Sequence, residues 1–418
     1  MFDVASYYIV VRGARTTRCC AFSALATSTL IIASGACPEA RQVAEISAEQ
    51  RREAIVRMWR DATPAPAPLL GAEQAWTLTL PMAPSAAGAM DDRRVYIPLR
   101  QELLVAIGRE TGLVSWTRAL DTAFPPVVAD GILFIAGRNA ILALDATDGA
   151  EQWSVPIESA ISAPLVWDSG WLIAIAEPGE VTAFRATDGH LVWRRSLGAA
   201  SSHAAVPGGP AALYFSLADS RVVALALETG KPLWEQKLTG TISEPAVARD
   251  RVFVGSTDNF LYAFDDDSGR LEWRWRNGGD VIGAAADGDA VYFASLDNII
   301  RAVNRGNGNQ RWKKPTGTRP VLPPRAFGGI VLLPGLMPAI TVFVGETGAV
   351  MGTHVGAGNL VGAPLVDPVL KPSRVALVTI TREGVVEALR PAGMMFREAV
   401  LVPIPALPGR TLTRERLD

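Results

Sequence analysis

Tryptophan recurs at positions 116, 153, 193, 234, 273 and 312, at steps of 37, 40, 41, 39 and 39 residues. Gly112, Gly149, Gly189, Gly230, Gly269 and Gly308 stand four residues before Trp116, Trp153, Trp193, Trp234, Trp273 and Trp312. Ala106, Ala143, Ala183, Ala224, Ala263 and Ala302 stand six residues before those glycines. Three fixed positions at a period near 40 mean one supersecondary unit stacked on copies of itself, because a lone unit of that size cannot bury its apolar face. Two weaker copies follow. "TVFVGETGAVM" carries Gly348, with Met351 close to the tryptophan place, and "VVEALRPAGMM" carries Gly393 in the turn position. Terminal units meet different neighbours and drift from the pattern, so the count is eight.

Each unit resolves into short strands. In the fifth, "RVFVGST" and "FLYAFDD" are β-rich runs separated by "DN", a tight-hairpin signal. "DSG" then turns into "RLEWRWR", and the small-residue string "ISEPAVA" precedes them all. "ISAPLVW" and "VIGAAAD" repeat that bias in other units, as inner strands crowding a central channel require. Four short strands in about 40 residues make a propeller blade. The expected fold is therefore all-β, an eight-bladed β-propeller of four-stranded blades. The repeated glycine supplies the positive φ of a tight turn. The alanine is expected to leave room for a large side chain from the adjacent blade. The tryptophan fills that room and offers its N–H to a carbonyl, so the series reads as structural.

The flanks read differently. Arg12, Arg15 and Arg18 precede the apolar run "CCAFSALATSTLIIASGA", a positive region and a hydrophobic region as in an export signal. The run meets Cys37, where lipoprotein processing would attach an acyl anchor. Ser34 stands where leucine is usual in that motif, and plain cleavage before Cys37 or an uncleaved anchor remain alternatives. The long apolar opening raises a start of translation near Val10 or Val11 as a further reading. Ser47 and Gln50 fit a capping box ahead of a short amphipathic helix with Ala54, Ile55, Met58 and Trp59, and "ATPAPAPLLG" follows as a stiff spacer. The expected division is a signal peptide over 1–36, a lipoprotein tether over 37–70, the propeller over 71–405 and a tail over 406–418. Trp76 in "EQAWTLTLP" resembles an outermost strand without its three predecessors, and it competes with "MMFREAVLVPI" to close the ring.

The frame of Ala143, Asp145, Gly149 and Trp153 resembles the tryptophan-docking repeat of the pyrroloquinoline-quinone-like propellers, over roughly Trp76 to Phe396. One branch of that superfamily is the quinoprotein alcohol dehydrogenases; another is the non-catalytic BamB-type outer-membrane protein assembly lipoproteins. An exported eight-unit chain with a candidate acylated cysteine resembles the second. The resemblance implies a scaffold at the periplasmic face of the outer membrane, anchored by lipid or soluble in the periplasm. Its implied partners are the outer-membrane barrel assembly subunit and other periplasmic proteins.

Composition limits the rivals. The net charge of −2, from 40 basic and 42 acidic residues, offers no excess of cations for a phosphate backbone, so no nucleic acid is expected. The cysteines are Cys19, Cys20 and Cys37, so the repeats hold neither a disulfide nor the cysteine pair that the dehydrogenase resemblance would require beside a quinone. Of the three histidines, His190 falls in a turn, His203 is expected on an inner strand where it could line the channel, and His354 shows no metal-ligand spacing. Asp258 with Asn259 and Asp297 with Asn298 suit hairpin turns better than calcium. No cofactor, metal or catalytic residue is expected. The remaining rivals are a quinone-dependent dehydrogenase and an exported propeller that binds a carbohydrate or another protein.

Overall fold

The structure is a computed structural model, and it describes residues 72–391 except 123, 202, 209–210, 318, 336–338 and 368–373. Cys37, the helix expected after Ser47, the proline-rich spacer, Gly393 and the tail lie outside these residues. Eight four-stranded antiparallel sheets follow one another as the blades of a propeller. Blades 1 to 7 span 89–119, 127–156, 166–196, 206–237, 246–276, 281–315 and 325–355. Blade 8 combines Leu365–Val366, Leu377–Ile380 and Val385–Pro391 with Ala72–Thr79 from the other end of the chain.

Within a blade we label the strands a to d, from the short first strand to the last. First strands of successive blades pack on one another, as Val206–Gly208 on Ala246–Ala248 and Ala246–Ala248 on Val281–Asp287. Strands b and c are apolar without alternation because a neighbouring blade covers each face. Val252, Phe253 and Val254 in strand b and Leu261 and Ala263 in strand c of blade 5 are fully buried. Strand d is the sheet edge and alternates, with Glu151–Pro156 exposed at every second residue or more.

The core is divided among the blades. Eight hydrophobic clusters line up with the eight seams between neighbouring blades. Among the described residues, the seam between blades 3 and 4 holds thirteen buried residues and that between blades 1 and 2 holds seven. The seam between blades 7 and 8 holds three among the described residues: Ile330, Leu332 and Ile340.

Closure is resolved in favour of the N-terminal strand. Ala72–Thr79 pairs antiparallel with Val385–Pro391, placing Trp76 opposite Ala388 with a bulge between Gln74 and Trp76. Trp76 thus holds the strand-d position of blade 8, and the otherwise open edge of Val385–Pro391 is covered. Arg109, 2 % exposed, secures the same seam. Its Nε donates to the Val375 carbonyl at 3.0 Å and its guanidinium pairs with Asp367.

Candidate functional site

The repeated residues meet at the seams. Each tryptophan crosses to the next blade and donates its indole N–H to a carbonyl three residues past that blade's alanine position. Trp76 reaches Arg109 at 2.7 Å, Trp116 reaches Ala146 at 3.3 Å and Trp153 reaches Ala186 at 3.0 Å. Trp193 reaches Leu227 at 2.7 Å and Trp234 reaches Asp266 at 2.6 Å. Trp273 reaches Arg305 at 2.9 Å and Trp312 reaches Gly345 at 2.7 Å.

The ring of each tryptophan lies flat on the next blade's turn glycine. A Cβ on Gly112, Gly149, Gly189, Gly230, Gly269, Gly308 or Gly348 would stand 2.5–3.0 Å from the incoming indole. These glycines also hold φ between +64 and +77°, a region that a side chain disfavours. Two independent demands, the turn and the seat of the ring, therefore fall on one residue. A bulge in the c–d pairing precedes each turn, as between Ala143 and Leu144. Such a bulge re-aims the residues of the bulged strand.

The alanine plays a different part from the one expected. It is the cross-strand partner of its own blade's tryptophan, Ala143 opposite Trp153 and Ala224 opposite Trp234. On its other side stands an aromatic of strand b: Phe134 opposite Ala143, Tyr214 opposite Ala224. The short side chain between them lets the two rings touch, with centroids 5.9 Å apart for Phe134 and Trp153 and 5.7 Å for Tyr214 and Trp234. Tyr96, Phe253 and Tyr292 complete the same row in blades 1, 5 and 6. Those aromatics stand nine or ten residues before the alanine, a fourth repeated position that could have been found in the sequence.

Burial in the seams acts on the tyrosines. Desolvation, with Asp91 adding, holds the Tyr96 phenol far above its ordinary range; its Oη lies 2.7 Å from Asp91 Oδ2. Desolvation also raises Tyr214, with Asp266 adding, and pushes Tyr292 up to about 12, with Asp287 adding.

Blade 7 departs from the rule. Register places Gly352, not Met351, opposite Val342, which stands at the alanine place. Met351 is the bulge residue between the paired Val350 and Gly352 and has no partner in the register. The seam between blades 7 and 8 therefore has no tryptophan. Among the described residues, a Cβ on Gly352 would meet nothing within 4 Å.

The other candidate residues fall into turns and edges. His190 is exposed, and its backbone N–H donates to Asp188 at 3.0 Å. His203 lies in a bend before strand a of blade 4, Val206–Gly208, rather than on that strand; its carbonyl accepts from Ser201 Oγ at 3.0 Å. Asn259 and Asn298 take φ of +70 and +61° in the b–c hairpins. Asp258 accepts from Phe260 N at 3.1 Å and from Tyr262 Oη at 2.7 Å. Asp297 accepts from Arg301 at 2.8 Å. Burial opposes ionisation of Asp297, but the hydrogen bonds from Arg301 and Ser295 outweigh it and hold the carboxyl below its usual range. His354 Nε2 crosses the last seam to Glu387 at 3.3 Å. Among the described residues, no three His, Cys, Asp or Glu side chains converge on a point fit for a metal ion.

Comparison with known proteins agrees with this geometry. A family model described as outer membrane protein assembly factor BamB matches residues 69–207, 177–331 and 218–363, together more than half of the chain. The successive overlaps follow from the repeat, whose copies fit the model at shifted positions. BamB of Yersinia pestis is 25 % identical over 210 residues, which are 45 % of this chain and 52 % of that protein. The chain spans about half the length of the curated relatives it matches. The crystal structure of BamB from Moraxella catarrhalis aligns with a TM-score of 0.62 at 19 % identity, over 76 % of this chain and 97 % of that one. A quinohemoprotein alcohol dehydrogenase, ADHIIG from Pseudomonas putida HK5, aligns with a TM-score of 0.60 at 12 % identity, over 85 % of this chain and 79 % of that one. At such identities these two likenesses speak for the propeller architecture alone. The match of the family model across blades 1 to 7 goes further, and on it the chain belongs to the outer membrane protein assembly factor BamB family.

Proposed function

We propose that this protein is an exported, non-catalytic scaffold that takes part in assembling β-barrel proteins into the outer membrane, tethered through an acylated Cys37. The observation that carries the reading is the family match across most of the blades. The sequence adds a basic and then apolar N-terminal run that ends at Cys37, and a proline-rich spacer that would hold the disc off the membrane. A rigid propeller suits a scaffold because it displays many inter-blade loops from a fixed frame. The partners in this reading are the barrel assembly subunit and other periplasmic proteins.

The test is affinity purification of the tagged full-length protein from mildly solubilised envelopes, paired with labelling of the chain by a radioactive fatty acid. Recovery of the barrel assembly subunit, with label lost in Cys37→Ser, supports both halves. Purification without that subunit, from envelopes in which the label is present, removes the assembly role and keeps the anchor. Uptake of pyrroloquinoline quinone and calcium by the purified protein, with dye reduction on alcohols, would instead make it an enzyme.

A further inference from the structure

We propose that the outer edge of blade 6 is a docking site for an acidic, extended segment of a partner polypeptide, which adds to the blade as a fifth strand. Between Asp297 and Glu346 the chain carries seven arginines and lysines and no aspartate or glutamate, in a protein whose net charge is −2. The run covers strands c and d of blade 6 and strands a to c of blade 7. Its outermost element is Gln310–Pro315, on which Arg311 and Lys313 are exposed and Lys314 is half-buried. Exposed Arg319 follows in the next connection.

Other outer strands balance their charges from within the protein. Arg118 of blade 1 pairs with Glu151 of blade 2 at 2.9 Å, and Arg194 of blade 3 with Glu180 at 3.4 Å. Glu235 of blade 4 pairs with Arg221 at 3.1 Å, and Glu73 of blade 8 with Arg390 at 2.7 Å. Among the described residues, Arg311, Lys313, Lys314 and Arg319 stand in no ion pair, and Arg311 reaches only the carbonyl of Asp289, at 2.8 Å. The carboxylates on the neighbouring hairpins are already engaged, Asp297 by Arg301 at 2.8 Å and Asp289 by Arg249 at 3.3 Å. Blade 5 extends the positive rim: exposed Arg274 lies over the Phe260 ring at 4.9 Å, and exposed Arg276 ends the strand.

The strand also offers its main chain. Gln310–Pro315 is the last strand of its sheet, and no described strand pairs with its outer side. Such an edge presents a row of N–H and C=O groups to an incoming chain. Alternate residues face opposite sides, so Arg311 and Lys313 share one face while buried Trp312 and Lys314 share the other. Lysines on an edge repel most strands and keep sheets from joining. A strand with carboxylates opposite them is the exception, because opposite charges on facing residues attract. Charge then selects the guest and the main chain holds it. A row of main-chain groups along one strand matches a polypeptide, whereas a lipid headgroup has no use for it.

The test is fluorescence anisotropy of a labelled ten-residue peptide alternating glutamate and threonine, titrated with the purified full-length protein. Two companions share its length: one has lysine for glutamate, and one is methylated at the main-chain nitrogens that would face the edge. The glutamate peptide is expected to bind saturably, more tightly at low salt, and to protect the amides of the outer strand of blade 6 from hydrogen exchange. The other two are expected to bind at least tenfold more weakly. The double variant Arg311→Glu, Lys313→Glu should keep its circular dichroism and transfer binding from the glutamate peptide to the lysine peptide. Lack of saturable binding to the unmodified protein overturns the proposal, as does binding unchanged in that variant. Equal binding of the methylated peptide overturns strand addition. Binding of phosphatidylglycerol vesicles in place of the peptide also overturns it and assigns the edge to a membrane surface. Because the readout is the purified protein alone, the result is independent of the assembly role.

Discussion

Trp234 in blade 4 and Gly352 in blade 7 hold the same place in their blades, and their seams differ accordingly. Trp234 is 8 % exposed, sits on Gly269, donates to Asp266 and touches both Tyr214 and Phe264. Among the described residues, ten buried ones form that cluster, Trp234 included, against three, Leu332 included, in the seam beyond Gly352. In blade 4 the row reads Tyr214, Ala224, Trp234, large then small then large. In blade 7 it reads Leu332, Val342, Gly352, and the order of sizes across strands c and d is reversed. The middle residue of the row thus decides whether the outer residue can carry a ring. In blade 7 that residue, Val342, branches at Cβ, its partner on the outer strand is glycine, and among the described residues the space beside Gly352 is open.

The largest expected effect comes from emptying a filled seat. Trp234→Ala should cost about 3–5 kcal/mol, as truncations of large buried aromatics do, read as a drop in the urea midpoint. A cost below about 1 kcal/mol would mean that the seats do not hold the seams together. The alkaline limb comes next. Tyr292 is neutral in the fold with its ionisation pushed up to about 12, against about 10 for an exposed phenol. Its contribution is therefore intact below about pH 10 and is lost as pH rises toward and through 12, for a total of roughly 2–3 kcal/mol. Tyr292→Phe should flatten that loss and remove one late-titrating phenol from the 295 nm absorbance curve. Blade 7 has Leu332 at this place and contributes no such limb.

Smaller changes separate the two demands on the turn glycine. Gly269→Ala meets both an indole at 2.5 Å and a φ of +67°, and should cost about 1–3 kcal/mol in thermal unfolding. Gly170→Ala has a φ of +86° with nothing within 4 Å, and should cost only about 1 kcal/mol. Equal costs would break the claim that the glycine is a seat as well as a turn. The smallest effect has the opposite sign. Gly352→Trp should raise stability by about 0.5–2 kcal/mol, as cavity filling does. A loss there would show that blade 7 has repacked around its glycine and that the eighth seam differs in kind.

Much of this architecture is legible in the residues because its rules are local. A turn that needs positive φ selects glycine within a few residues of the strand it reverses. Burial of strands b and c on both faces writes continuous apolar runs such as Val252–Val254. The two demands recur every 40 residues, so the unit and the count of eight follow from pattern alone. The strand-b aromatics were equally present as a row nine or ten residues ahead of the alanines, but their meaning depends on pairing across two strands. His203 was misplaced for the opposite reason, since a short string of small residues does not say where a bend ends and a strand begins.

The tertiary structure decided three things that no local pattern carries. It closed the ring through Ala72–Thr79 on Val385–Pro391, strands more than 300 residues apart, because only the assembled disc brings those edges together. It set the register that puts Gly352 and not Met351 at the seat, since a shift of one residue in a strand exchanges its faces. It also gave the alanine its role between two rings of one blade, a matter of which strands lie side by side. The residues by themselves determined the blade, its turn and its tryptophan; the closing of eight blades on one another determined which seat was left without one.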